Sequence, residues 1–523
     1  MNNKNRKQNY RTINITNLSE KELVELSQKG LLSLSLEEMK KVQQYFKALK
    51  REPTDCEIET IAQTWSEHCK HKTLSAKVRL KYKNGKEVKE YNYDNLLKET
   101  IFFATKKINH KMCLSVFEDN AGVVEFDSQN AVSFKVETHN HPSALEPYGG
   151  AATGIGGVIR DIIGCGLGAK PVANTDVFCF GSIETEKLLE NVLPPKRIFK
   201  GVVSGVRDYG NRMGIPTING SIIFDDGYLY NPLVYCGCVG IIPKDKIHKK
   251  VSPGQLLIVI GGKTGRDGIH GATFSSAALH NELPTSVVQI GDPITEKMFL
   301  DVLLKARDLG LYTAITDCGA GGLSSACGEL AKDYGCKIYL DKVPLKYEGM
   351  QAWEIWLSES QERMVVVVNK EKKEKFIALC KEEDVEATVI GEVTDNKTLE
   401  VFYNGEIICK LDMDFLHNGV PKVEFNLTFE KKKSSKNKKV DIKIKEPFSE
   451  ILKKVLSHPN ICSKEYVIRQ YDHEVQGNTV LKPLVGFIND RLQKVSPQDA
   501  AVICPVKGSY RACLLYTSPS PRD

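Results

Sequence analysis

Residues 135–171 read KVETHNHPSALEPYGGAATGIGGVIRDIIGCGLGAKP, and the reading of this stretch decides the fold. Just before it, residues 131–136 (AVSFKV) alternate in the period of a strand. The end of that strand delivers Glu137, His139, Asn140 and His141, and Pro142 stops it. A turn over Pro147 and the Gly149-Gly150 pair is expected next. Gly154, Gly156 and Gly157 then lead into 158–163 (VIRDII), which reads as a helix. Glycines ahead of a helix let backbone N–H groups approach a phosphate, and the helix N-terminus favours negative charge. Arg160 offers a fork to an anion, and Asp161 beside it suits a divalent cation. So much polar chemistry in about one βα unit exceeds what a packing motif needs.

On the N-terminal side, residues 1–15 are polar and expected to be frayed. Residues 18–50 read as helical, with Ser19 as cap and Leu23, Leu26, Leu36, Met39, Val42, Phe46 and Leu49 at helical spacing. A further helix over 57–69 ends in TWSEHCKHK at 64–72. There His68 and His71 sit three apart, a spacing open to a shared metal, but no third ligand is local. On the C-terminal side, strands at 172–180 and 234–242 flank a helix at 197–211. Alternating helices and strands argue an α+β or α/β domain.

A second domain is expected from about residue 244. Its first strand, 255–260, runs into GGKTGRDGIHG at 261–271. The spacing of a P-loop is absent there, so the glycines serve either anion contact or enforced turns. After 288–293 (VQIGDP), a helix is expected at 295–310. The segment 314–323 (AITDCGAGGL) repeats the design of the centre: strand, acid, glycine turn, helix. Asp317 is then either a site residue or a helix cap. WEIWLSESQER at 353–363 precedes a strand at 364–368, and a helix at 371–383 and a strand at 388–390 close the domain.

A chain of 523 residues, 41% hydrophobic, holds three or four domain-sized units. A net charge of +6 is small over this length and gives no case for nucleic acid. The lysines gather in KKKSSKNKKVDIKIK at 431–445, a solvated linker by composition. Fifteen cysteines without a C-x-x-C pair read as reduced cytoplasmic thiols, with Cys236 and Cys238 in an apolar strand. No apolar run approaches the length of about 18 that a membrane span needs.

The central stretch, together with S-E-H-C-x-x-K at 66–72, resembles phosphoribosylformylglycinamidine synthase, an ATP-dependent ligase of purine biosynthesis. The resemblance implies an α+β fold: a helical linker domain (1–90), then the two domains of an aminoimidazole-ribonucleotide-synthetase-like half (91–243 and 244–425). A lysine-rich linker (426–447) and the start of a second half (448–512) follow. Residues 513–523, CLLYTSPSPRD, read as an artefactual tail on a truncated frame. The implied reaction converts formylglycinamide ribonucleotide to its amidine through an iminophosphate. It uses ATP, Mg2+ and ammonia from a glutaminase subunit or domain, with a small helper subunit as a further partner.

By the same resemblance, His68 and His139 are catalytic, and Lys135 and His71 contact ATP. Many bacterial members carry tyrosine where this chain has His71. Glu137, Asp161 and Asp317 match metal positions. Thr138, His139, Asn140, His141, Arg160, Gln289, Glu359, Ser360 and Gln361 match substrate contacts. Glu137, Asp161 and Asp317 are of the type that magnesium prefers. The resemblance also implies that each repeat supplies half of the ATP site, so the chain alone is expected to be inactive. Two other readings stand beside this one: a small-molecule kinase or synthetase of the same fold family, and a non-catalytic fragment.

Overall fold

The computed structural model describes residues 9–185, 187–190, 192–269, 271, 288–289, 291–431, 446–485, 496–497, 500–509 and 511–516. His270, nearly all of the lysine run and residues 517–523 of the expected tail lie outside the described residues. The chain divides into two compact units. One comprises Met1–Cys69, Met112–Val420 and Lys464–Asp523; the other comprises Lys70–Lys111 and Pro421–Ser463.

The smaller unit is built on a three-stranded sheet. Lys77–Asn84 pairs antiparallel with Glu87–Tyr93 and parallel with Glu424–Glu430. Val78, Leu80 and Tyr82 alternate along one strand and Phe425, Leu427 and Phe429 along its distant partner. Tyr82 stacks on Phe429, with ring centroids 5.4 Å apart. Strands therefore occupy part of the segment expected as a helical domain and part of that expected as a linker. Period-two alternation carries them.

In the larger unit the expected single helix over 18–50 is two, Glu20–Lys29 and Leu36–Ala48. Gly30 ends the first, and Ser35 opens the second with its own capping box to Glu38. Thr54 and Glu57 repeat that device at the start of Asp55–Thr64. Residues 9–15 are held rather than frayed. Ile15 is fully buried, the Ile13 amide donates to the Pro53 carbonyl at 2.9 Å, and Thr12 bridges Thr54.

Two sheets follow. The six-stranded sheet runs Cys113–Ser115, Gly122–Glu125, Asn130–Thr138, Leu233–Pro243, Lys170–Phe180, Thr217–Phe224. Helices Pro147–Gly164 and Pro195–Met213 pack on one another and share an apolar core with this sheet. The seven-stranded sheet runs Ala314–Asp317, Arg363–Val368, Leu256–Gly261, Ala387–Val393, Cys336–Tyr339, Thr398–Tyr403, Glu406–Asp412. Its last two strands extend the domain beyond the strand expected to close it. Arg363–Val368 is buried along its whole length, as its unbroken valine run requires. Further on, Ala500–Ile503 pairs antiparallel with Thr479–Leu481 and with Cys513–Tyr516.

The central stretch departs from its expected form. Pro147–Gly164 is one continuous helix, so Gly149, Gly150, Gly154, Gly156 and Gly157 lie inside it rather than in a loop ahead of it. The phosphate-cradling glycine loop is therefore absent. Close packing explains most of these glycines. A Cβ on Gly150 would sit 2.5 Å from the Ser143 nitrogen, and one on Gly156 would sit 2.6 Å from Cζ of Tyr209. Tertiary contact here overrides the poor helix propensity of glycine.

Candidate active site at the end of the Asn130–Thr138 strand

Lys135 and Glu137 share one face of the Asn130–Thr138 strand because side chains repeat every second residue. Lys135 Nζ lies 3.0 Å from Glu137 Oε1 and 3.4 Å from Asp161 Oδ2. Burial opposes the lysine charge, but the Asp161 and Glu137 carboxylates hold its pKa above the ordinary value. Asn120 Nδ2 donates to Asp161 Oδ1 at 3.1 Å and to Asp317 Oδ1 at 2.7 Å. Burial, and then the Asp317 carboxylate beside it, push Asp161 well above the usual carboxylate range. The glycine turn after Asp317 is real: Gly321 and Gly322 have φ of +72° and +57°. Asp317 does not cap the next helix, however, because Gly321 is its N-cap residue and makes no side-chain cap.

Three carboxylates face one ammonium, so the cluster carries excess negative charge. Its donors are all oxygen, the type magnesium takes, and on both counts the residues fit a divalent cation. Among the described residues no three such side chains stand at metal-holding spacing as arranged here.

His139 follows at the strand end. Its Nδ1 meets the Gly150 carbonyl, which only accepts, so Nδ1 carries the hydrogen and Nε2 keeps its lone pair. Enclosure in protein pushes its pKa down to about 4, opposed by that hydrogen bond. His68 lies near enough that its charge lowers His139 further, and Glu137 and Arg160 are also in electrostatic reach. The S-E-H-C histidine and the strand-end histidine thus come together. His71 belongs to the smaller unit, with φ of +49°. Thr138 is exposed, Asn140 Oδ1 accepts from the Val234 amide at 2.8 Å, and His141 lies on the short Asn140–Leu145 helix.

The remaining expected contacts form a second, more enclosed cluster. Arg160 is only 2% exposed, and its Nη1 donates to Glu296 Oε2 at 2.7 Å while Nη2 bonds Gln361 Oε1. Gln361 N donates to Gln289 Oε1 at 3.0 Å, and Gln289 Nε2 donates to Glu362 Oε2 at 3.2 Å. Glu359 Oε1 accepts from the Gly321 amide at 3.1 Å. Ser360 is fully buried, its Oγ accepting from Gly265 N at 2.9 Å and lying 2.9 Å from Asp267 Oδ2. Arg363 holds this loop from beneath. It donates to the carbonyls of Ser358 and Ser360 and to Thr264 Oγ1, the last at 2.8 Å.

Three domain families match the chain. Residues 23–72 match the formylglycinamide ribonucleotide amidotransferase linker domain. Residues 118–242 and 252–404 match the N-terminal and C-terminal domains of AIR synthase related proteins. The phosphoribosylformylglycinamidine synthase subunit PurL of Thermoplasma acidophilum is 40% identical over a 526-residue alignment covering 98% of this chain. Its counterpart in Thermoplasma volcanium is 41% identical, again over 98% of the chain. Along nearly its whole length the chain is similar to PurL subunits.

It spans 64% of the length of each Thermoplasma PurL. T. maritima PurL complexed with ATP matches this fold at a TM-score of 0.62 and 30% identity, over 89% of this chain and 64% of that one. T. maritima PurL complexed with FGAR gives 0.60 at 30% identity, over 89% and 66%. The α+β reading of a linker and two AIR-synthase-like domains therefore holds for this chain.

Sequence reasoning missed Asn120, Tyr209, Glu296, Glu362 and Arg363. Glu362 and Arg363 directly follow the E-S-Q run and were within reach. The other three gain their place only through tertiary packing.

Proposed function

We propose that this chain carries an active site for the ATP-dependent conversion of formylglycinamide ribonucleotide to formylglycinamidine ribonucleotide. The observation that carries the reading is the convergence of Lys135, Glu137, Asp161 and Asp317 beside a neutral His139. Relatives bound to ATP and to FGAR at 30% identity support it. ATP supplies the phosphoryl group that makes the amide oxygen a leaving group. Glu137, Asp161 and Asp317 would hold magnesium, whose charge offsets that of the polyphosphate.

Lys135 is the fixed cation for phosphate oxygens, held charged by its two carboxylates. His139 acts as a base: Nε2 takes a proton from the amine that attacks the amide carbon. Burial keeps it unprotonated, and the nearby His68 adds to that. Arg160, Gln289, Glu359, Ser360 and Gln361 orient the substrate, with Thr138, Asn140 and His141 at the strand end, and His71 contacts the nucleotide. Ammonia comes from a glutaminase subunit or domain, with a small helper subunit in the assembly. Free thiols at the described cysteines support a cytoplasmic setting. Among the described residues no helix is long and apolar enough to cross a membrane.

The test is an ammonia-dependent assay of the purified protein with formylglycinamide ribonucleotide, ATP and magnesium. Amidine and phosphate should form in equal amounts and only with all three present. ATP hydrolysis without amidine would overturn the assignment.

A further inference from the structure

Around Arg160 the hydrogen-bond count does not close with ionised carboxylates alone. The Tyr209 hydroxyl lies 2.6 Å from Glu296 Oε2 and 3.0 Å from Glu362 Oε1. A phenol has one hydrogen and donates to one of the two. The other oxygen then meets the phenol's lone pair, and that contact is a bond only if the carboxyl brings a proton. Without one, two lone pairs would face each other where no water intervenes, since Tyr209, Glu296 and Glu362 are all buried.

The ion pairing agrees. Among the described residues Arg160, from the Pro147–Gly164 helix, is the guanidinium paired with both acids, its Nη1 2.7 Å from Glu296 and 3.9 Å from Glu362. Tyr209 comes from Pro195–Met213, Glu296 from Pro293–Asp308, and Glu362 from the segment before Arg363–Val368. The Arg363 guanidinium is in electrostatic reach of Glu362 and Arg160, but it donates to the Ser358 and Ser360 carbonyls and to Thr264 Oγ1 rather than to either acid. Asp292 acts on Glu362, Asp317 on Arg160, and the Cys238 thiol faces Glu296. Burial pushes Glu296 up to about 7, against the pull of Arg160, and raises Glu362 as well.

We propose that Glu296 and Glu362 hold one proton between them through Tyr209, and that this neutral bridge positions Arg160 and Gln361. The positioning half rests on the substrate role proposed above for those two residues; the shared proton does not. With the proton in place, Arg160 has one carboxylate partner on Nη1 and keeps Nη2 on Gln361. Glu362 Oε2 meanwhile anchors Gln289, whose Oε1 holds the Gln361 amide. Loss of the proton leaves two carboxylates competing for one guanidinium and draws Arg160 off Gln361. Tyr209 and Glu296 are therefore positioning residues.

The experiment is infrared titration of the whole protein with 13C-labelled glutamate, from about pH 5 to about pH 9, spanning the ordinary and the raised range. A protonated glutamate band should persist at neutral pH and vanish above it. Glu296→Gln, nearly isosteric, leaves one carboxylate opposite Arg160, so the band should be lost whichever acid carried it. Tyr209→Phe, whose ring keeps its packing, should move the midpoint.

In parallel, calorimetry with formylglycinamide ribonucleotide should show wild-type binding weakening at alkaline pH by about tenfold, and Glu296→Gln should hold its neutral-pH affinity there. Absence of the band in wild-type protein at neutral pH, or its survival in Glu296→Gln, would overturn the shared proton. A normal band with pH-independent binding would overturn the positioning role. Failure of wild-type protein to bind the ribonucleotide at any pH would sink the proposed function instead, and the infrared result would still decide the proton.

Discussion

Asp161 and Asp317, from different domains of the larger unit, are joined by a single amide: Asn120 Nδ2 donates to one oxygen of each, at 3.1 and 2.7 Å. One amide cannot neutralise two carboxylates, so the junction is electrostatically strained. Asp161→Asn keeps the shape and removes one charge. Without magnesium the variant should melt at the same temperature as wild type or higher. Its magnesium midpoint for activity should rise at least about tenfold, the scale seen even for groups one layer away from a metal. An unchanged midpoint would return Asp161 to a purely structural role.

His139 should contribute through proton transfer. His139→Ala should lower kcat by about 10²–10⁴-fold with little change in thermal stability, the usual worth of a positioned base. Steady-state kinetics at saturating ATP and ammonia check this. A loss confined to KM would assign His139 to binding instead.

The helical glycines can be sorted by substitution. Gly150→Ala forces a methyl to 2.5 Å from backbone and should cost roughly 1–3 kcal/mol or more. Gly157 has only Arg160 Nη2, at 3.8 Å, near its missing Cβ. Gly157→Ala should therefore stabilise the helix by about 0.5–1 kcal/mol. A phosphate-cradling loop would require the opposite ranking in ATP binding. Chemical denaturation of both variants decides between them.

Asp176 offers a pH test away from the site. It is 4% exposed, and burial raises its pKa to about 7, opposed by a hydrogen bond from the Cys236 thiol. The folded value lies above the ordinary 3.8, so on raising the pH the unfolded chain ionises first. Stability from this group is present at low pH and falls between about pH 4 and about pH 7, by on the order of 4 kcal/mol. Asp176→Asn should flatten that slope. Melting curves at the two ends of the window would show it, and a slope equal to wild type would refute it.

Much of the site was legible because its residues are neighbours in sequence. Lys135 and Glu137 alternate on a strand whose period is plain, His139 follows at its end, and Asp317 repeats their pattern. The Tyr209 bridge was not legible: its three members come from separate elements, and nothing in the local sequence marks that they meet. Among the helices, Ser19 announced a start, but the continuing apolar period hid the restart at Ser35. The glycine-rich helix was misread for a physical reason. Propensity says glycine breaks helices, whereas here Tyr209 and the Ser143 backbone leave no room for anything larger.

The parallel pairing of Lys77–Asn84 with Glu424–Glu430 has a consequence for the order of assembly. The ribosome makes the first of these strands, and its hairpin partner, well before the second. Both AIR-synthase-like domains emerge between them. The three-stranded sheet therefore completes only after synthesis has passed Glu430, and until then the Lys77–Asn84 hairpin waits with one edge unpaired. Closure over so long a separation is slow, and a waiting edge is the surface most prone to mispairing. Lys77, Arg79, Lys81 and Lys83, alternating along that waiting strand, repel a second copy of the same edge during the interval.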